Sequence, residues 1–297
     1  MKILVTGRHG QVGSELRRAL APLGEVVAFD RHELDLAQPR TLAARVDAIR
    51  PDVIVNAAAH TGVDAAESEF ELVHRVNAES VGVLAGLARQ HDALFVHYST
   101  DYVFDGNGSR PYVETDPVSP VNAYGRTKLE GEQATAASGA DWLVFRTSWV
   151  YSPRGRNFLR TMLRLAGERD LLRVVNDQHG TPTSARMIAD LTAHAIRHAQ
   201  HERAQRTFAS DVFHLTAAGA TTWHGFASEI VALARRSGAF EIKAAEVAPV
   251  GTDAYPTPAR RPRYSVLDNT RFERRFGLVR LAWRDALELV FDELTRV

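Results

Sequence analysis

Residues 2–13 read Lys2-Ile3-Leu4-Val5-Thr6-Gly7-Arg8-His9-Gly10-Gln11-Val12-Gly13, and a helix-like run from Ser14 to Leu23 follows. A short apolar stretch, a turn with glycine at every third position and a helical pattern together read as strand, tight loop and helix. Glycine lets the backbone bend sharply and lets an anion come close, while the helix N-terminus offers unpaired N–H groups and a partial positive charge. The G-x-x-G-x-x-G spacing in this setting points to the pyrophosphate of a dinucleotide, cradled by Gly7, Gly10 and Gly13. Asp30 closes the next apolar run, Val26 to Phe29, where a carboxylate can accept hydrogen bonds from an adenosine ribose. That favours NADH, since a carboxylate repels a 2′-phosphate. Arg31 beside it offsets the repulsion and keeps NADPH open.

Outward from this loop, apolar runs alternate with helix-period segments. After Ile3–Thr6 come a helix from about Gln11, a strand at Val26–Phe29, a helix from about Pro39 and a strand at Val53–Val55. The pattern continues with a helix at Asn77–Gln90, a strand at Ala93–His97, a helix at Ala123–Ala137 and a strand at Trp142–Arg146. This rhythm predicts an α/β fold, a Rossmann-like doubly wound parallel sheet with right-handed crossovers and both faces covered. Past Trp149 the rhythm loosens. Helices near 156–168, 183–199, 223–236 and 283–295 are separated by loops, and the proline tract Tyr255–Arg263 must be extended or turning. A smaller mixed α/β C-terminal lobe is expected, with residues 1–150 and about 180–217 binding the dinucleotide and about 151–179 and 218–297 binding the substrate. Asp64-Ala65-Ala66-Glu67 reads as a capped helix start.

Composition narrows the functions. The 297 residues carry 36 basic and 36 acidic side chains, so no overall field draws nucleic acid or an anionic membrane. The absence of cysteine excludes disulfides, thiolate metal sites and a cysteine nucleophile, and suits a reducing cytoplasmic setting. The apolar run at the start is too short for a signal-peptide core, and no stretch of about 18 apolar residues occurs.

Tyr124 and Lys128 lie four residues apart on one helical pattern and share a face. A nearby cation stabilises a phenolate and can bring tyrosine toward acid-base work at neutral pH. Lysine is rare here, with Lys2, Lys128 and Lys243 the only ones among the 36 basic residues, so Lys128 is a marked choice. Arginine could not replace it, because its charge is spread over a planar fork. The stretch His97-Tyr98-Ser99-Thr100-Asp101 ends the fourth strand; Thr100 can donate to a carbonyl oxygen that gains charge, and Asp101 can accept from a substrate hydroxyl. Asn56-Ala57-Ala58-Ala59-His60-Thr61 puts small side chains at the end of the third strand, where room for a ligand is needed.

These motifs, with Arg146-Thr147-Ser148-Trp149, Asn176-Asp177-Gln178-x-Gly180-x-Pro182-Thr183 and Tyr255-Pro256-Thr257-Pro258-Ala259-x-Arg261-Pro262, resemble the dTDP-4-dehydrorhamnose reductase family of extended short-chain dehydrogenases over nearly the whole chain. The resemblance implies reduction of a dTDP-linked 4-keto sugar by NADPH or NADH. Thr100, Tyr124 and Lys128 would be the catalytic trio, with Asn77 as the helix asparagine of a proton relay. Cofactor contacts would fall on Gly10, Gln11, Val12, Asp30, Ala59, His60, Thr61, Tyr98, Tyr124 and Lys128. Substrate contacts would fall on Thr100, Asp101 and Trp149, and Arg261 would meet the diphosphate. Family members can form homodimers through magnesium and acidic side chains; here Ser184-Ala185-Arg186-Met187 sets a cation near where an acid belongs, so no metal is expected. A dehydratase would carry glutamate after Thr100-Asp101, where this chain has Tyr102. A 4-epimerase or a non-catalytic cofactor-binding subunit stays as the alternative.

Overall fold

The computed structural model describes residues 1–295. The first units are β1 (Lys2–Thr6), α1 (Gln11–Leu20), β2 (Glu25–Phe29), α2 (Leu42–Ile49) and β3 (Val53–Asn56). A helical stretch then comes in three pieces, α3 (Phe70–His74), a π-turn (Arg75–Glu79) and α4 (Ser80–Gln90), before β4 (Leu94–Thr100), α5 (Ala123–Ala137) and β5 (Asp141–Thr147). Next are β6 (Val150–Tyr151), α6 (Phe158–Glu168), β7 (Leu171–Val175), β8 (His179–Gly180), β9 (Thr183–Ser184), α7 (Ala185–Gln205) and β10 (Asp211–His214). The chain continues through β11 (Thr221–Thr222), α8 (Trp223–Ser237), β12 (Glu246–Val250), α9 (Thr270–Phe276) and α10 (Trp283–Thr295).

Six strands form one parallel sheet in the order β10-β5-β4-β3-β1-β2. The chain leaves β1 outward to β2 and then returns to the other side at β3. A crevice therefore opens at the carboxyl ends of β1 and β3, the position where such sheets bind nucleotides. Successive strand residues face opposite cores, as the two-residue period demands. Ile3, Val5, Val53, Val55 and Val96 pack with Leu16 and Leu20 of α1 and Ile188 and Leu191 of α7. Leu4, Ile54 and Phe95 pack with Leu42 and Val46 of α2 and Leu84 and Ala88 of α4.

Three local expectations change. The helix expected to start at Asn77 starts earlier and widens into the π-turn, which turns the Asn77 carbonyl toward α5; a side chain at Gly131 would stand 2.2 Å from that oxygen. No capping box forms at Asp64–Glu67. Asp64 instead bonds Arg261, and Glu67 accepts the Ala123 N–H at 2.8 Å. The sixth strand, β10, is four residues long and has no distinctive pattern of its own.

The second lobe holds the short pairs β7–β12 and β8–β11 beside α6 and α8, while the β6–β9 pair meets α7 and α10. Its aromatics run without a break into the sheet. Tyr151 meets Phe226, and Phe145 and Phe213 pack with Phe272 and Phe276 of α9. Among the described residues no helix is long and apolar enough to cross a membrane.

Candidate active site

A cavity of about 650 Å³ lies between the carboxyl edge of the sheet and the second lobe, with Thr61, Thr100, Asp101, Tyr124, Trp149 and Arg261 in its wall. The glycine turn forms one end of the crevice. Gly7 has a φ of +76°, and a Cβ there would lie 3.0 Å from the Ala58 backbone. A Cβ on Gly13 would meet the Gly7 carbonyl at 2.1 Å, so only glycine lets α1 approach the turn. Gly10 caps α1 with no side-chain bond and no acid follows in the first turn, which leaves the helix N-terminus electrostatically suited to an anion.

Asp30 is held by the guanidinium of Arg8 at 2.7 Å and by the backbone N–H groups of His32 and Glu33. Burial raises its carboxyl, but the Arg8 hydrogen bond and those N–H groups outweigh it and keep the group below the ordinary range. The offsetting cation is thus Arg8, inside the glycine loop. Arg31 lies 3.5 Å from Asp35 instead.

Several expected cofactor contacts are already engaged. Gln11 lines the cavity, yet its amide donates to the Val150 carbonyl and accepts from Ser152 and Asn157, tying α1 to the second lobe. Val12 packs against the core. Tyr98 turns its ring into the core beside Phe145 and shares a hydrogen bond of 2.8 Å with Thr192 of α7, so its side chain is away from the crevice. Its place inside β4 points it at the helical layer. Ala59, His60 and Thr61 follow β3, and the His60 peptide is clamped by Asn77. That amide accepts the His60 N–H at 2.9 Å and donates to the His60 carbonyl at 3.1 Å and to Thr127 at 3.3 Å. Asn77 here fixes the loop after β3.

At the centre, Asn122 caps α5 by accepting the Gly125 N–H at 2.8 Å, and its amide donates to the Arg260 carbonyl of the proline tract. A Cβ on Gly125 would fall 2.2 Å from the Tyr102 carbonyl, so glycine lets the helix press against the turn after β4. This brings Tyr124 beside Thr100. The phenol is pushed up to about 12, by burial first; the Thr100 hydrogen bond opposes the rise and the charge of Asp101 adds to it. Thr100 Oγ1 donates to Asp101 Oδ1 at 3.0 Å. Burial drives the Asp101 carboxyl up to about 7 against the hydrogen bonds of Ser265 and Thr100.

Lys128 is 2% exposed, and burial pushes its amine down to about 8 while Glu132 pulls the other way. Its Nζ lies 3.2 Å from His97 Nε2. Burial is the largest influence on both groups, and it leaves the phenol above its ordinary value.

Trp149 adopts a left-handed φ of 45°, rare for a bulky residue, and stacks on Trp223 with ring centroids 3.6 Å apart. A side chain on Gly180 would collide with the Trp149 ring. Arg261 makes a two-point bond to Asp64, at 2.5 and 2.7 Å, so this cavity arginine arrives with a carboxylate partner. At the start of α7 three carboxylates, Glu15, Asp190 and Glu293, are bridged by arginines. Arg186 there meets Glu293 at 2.6 Å and Glu15 at 3.4 Å, while Arg18 takes Glu15 and Asp190. Among the described residues no group of three or more His, Asp or Glu could hold a metal ion.

Sequence reasoning missed Arg8, Asp64, His97 and Trp223. His97 alone left a trace, as a polar ring inside an apolar strand. A glycine turn built for a dinucleotide, with a hydroxyl pair and a buried lysine at the switch point of a parallel sheet, defines an oxidoreductase of the extended short-chain dehydrogenase class. The chain belongs to the RmlD substrate binding domain family, which it matches over residues 1–296. It is 57% identical to the dTDP-4-dehydrorhamnose reductase of Burkholderia thailandensis, across 99% of both chains. The solved dTDP-4-dehydrorhamnose reductase of Clostridium acetobutylicum superposes with a TM-score of 0.88 at 38% identity, covering 99% of each chain. The Bacillus anthracis enzyme, solved in complex with NADP, gives 0.86 at 32% identity, covering 98% of this chain and 99% of its own.

Proposed function

We propose that the chain reduces the 4-keto group of dTDP-4-dehydro-6-deoxy-L-mannose (dTDP-4-dehydrorhamnose) to dTDP-L-rhamnose with NADPH or NADH. When bound, the nicotinamide supplies a hydride equivalent to the sugar carbon. Thr100 and Tyr124 hold the carbonyl oxygen as its negative charge grows, and Tyr124 delivers the proton. A phenol near 12 suits this direction. It is fully protonated at neutral pH, yet still more acidic than an alcohol, whose value is on the order of 15, so transfer to the new alkoxide runs downhill. Lys128 steadies the phenolate from within α5, Asp101 anchors a sugar hydroxyl, and Trp149 walls the ring. Arg261, oriented by Asp64, faces the diphosphate.

Gly7, Gly10, Val12 and Gly13 take the pyrophosphate, Asp30 the adenosine ribose, and Ala59 to Thr61 the nicotinamide side. Residues 1–150 and about 180–217 serve the dinucleotide, and about 151–179 and 218–297 the nucleotide sugar. A cytoplasmic homodimer completes the reading. The observation that carries it is the placing of Tyr124 and Thr100 together in the wall of the shared cavity. Loss of reduced-nicotinamide absorbance on mixing with the keto sugar tests it, and Tyr124→Phe should lower turnover by at least about 100-fold with cofactor affinity unchanged. Cofactor binding with no oxidation would instead mark a non-catalytic subunit.

A further inference from the structure

The mechanism leaves the buried titratable ring of His97 unused. His97 of β4 is fully buried and stands between two polar groups, with Asn56 Nδ2 of β3 3.1 Å from Nδ1 and Lys128 Nζ of α5 3.2 Å from Nε2. Beyond Asn56, the Thr6 hydroxyl donates to Oδ1 at 2.6 Å and accepts the Ala58 N–H at 3.1 Å. Four side chains, none more than 2% exposed, form a single file from the strand that enters the glycine loop to the helix that carries Tyr124.

A neutral imidazole has one N–H and one acceptor nitrogen. His97 is neutral, because burial and then the charge of Lys128 hold it well below the usual histidine value. If the Asn56 amide donates to Nδ1, the ring proton sits on Nε2 and Lys128 can meet it only as an uncharged amine. If Lys128 is an ammonium it donates to Nε2, the ring proton moves to Nδ1, and Asn56 must present its oxygen. A half-turn of the amide exchanges the two orders, since its O and N are nearly the same size, and Thr6 changes from donor to acceptor.

We infer that His97 is a positioning residue whose tautomer follows the charge of Lys128, with Asn56 and Thr6 turning over to match. Such a file gives a buried ammonium a neutral acceptor in place of a carboxylate, so that the charge can be gained or lost as the site is used. The titratable and charged groups around it agree with this. Glu132 on α5 favours the charged form but is tied to Arg146 of β5; Tyr124 lies one turn back on α5, Asp101 follows β4, and the π-turn presents neutral Asn77. The inference rests on the proposed support of Tyr124 by Lys128.

Nitrogen-15 NMR of histidine-labelled full-length protein from about pH 6.5 to 9.5 tests it without any turnover. The His97 proton is expected to move from Nδ1 to Nε2 as pH rises, and to stay on one nitrogen in Lys128→Met. One tautomer throughout, or a switch that persists in Lys128→Met, overturns the inference. In turnover assays, His97→Leu should move the alkaline limb down by about one pH unit, and His97→Gln, which restores an acceptor oxygen, should bring it back. An unchanged limb in a folded, cofactor-binding His97→Leu also overturns it. Absence of keto-sugar reduction by the unaltered protein would strike the proposed function and leave the NMR result intact.

Discussion

Lys128 of α5 and Arg146 of β5 are both buried cations, and they are held in opposite ways. Arg146 makes two bonds to Glu132, at 2.9 and 2.7 Å, with the pair 5% and 6% exposed. Lys128, one turn before Glu132 on the same helix, meets a neutral imidazole and is pushed down to about 8. A buried ion pair locks both charges, and loss of one partner strands the other in a low-dielectric interior. A buried amine facing a neutral partner keeps its charge adjustable. Neighbouring strand and helix thus carry one fixed and one adjustable cation.

The largest expected effect would break this contrast directly. Glu132→Ala should cost about 3–5 kcal/mol of stability in denaturant unfolding, because Arg146 is left buried and unpaired. Lys128→Met should cost no more than about 1–2 kcal/mol, for one unmet imidazole group, while lowering turnover by about 100-fold. Similar stability losses in both would mean that the two cations play the same part.

A smaller effect sharpens the contrast through pH. The folded Lys128 amine sits near 8 against 10.5 when free, so between these values the unfolded chain binds more protons and stability rises with pH. Asp101 has the opposite sign: its folded value near 7 exceeds 3.8, so its contribution is full below 3.8 and is lost as pH rises toward and through 7. Asp101→Asn should remove that decline, read as the pH dependence of the unfolding midpoint between about 4 and 7. An unaltered decline would show that Asp101 ionises as an exposed carboxyl does.

The smallest effect concerns the exposed-side pair of Arg8 and Asp30. Asp30→Ala should weaken NADH by about 10-fold and NADPH less, because it frees Arg8 to meet a 2′-phosphate. Equal losses in titrations with the two cofactors would remove Asp30 from the ribose.

Much of the site follows from local rules visible in residue order. Gly7 and Gly13 stand where the backbone approaches another chain segment too closely for a side chain, so spacing alone points to the turn; Gly125, against the Tyr102 carbonyl, shows its reason only in the fold. Tyr124 and Lys128 share a face because four residues make about one helical turn. Side chains whose partners lie far along the chain escaped the same treatment. Asp64 looked like a helix cap, but its partner is Arg261, 197 residues away. Gln11 looked like a cofactor contact, but its amide belongs to Ser152 and Asn157. Trp149 suggested a wall for the sugar without disclosing that Trp223 backs it.

By itself the sequence determined the parallel sheet, the glycine turn and the placing of Tyr124 and Lys128 on one helical face, since periodicity, glycine spacing and helical pitch act over a few residues. Only the tertiary structure decided the electrical state of that pair. Desolvation depends on everything packed around a group, and whether a buried cation meets a carboxylate or an imidazole is settled where separate strands and helices converge.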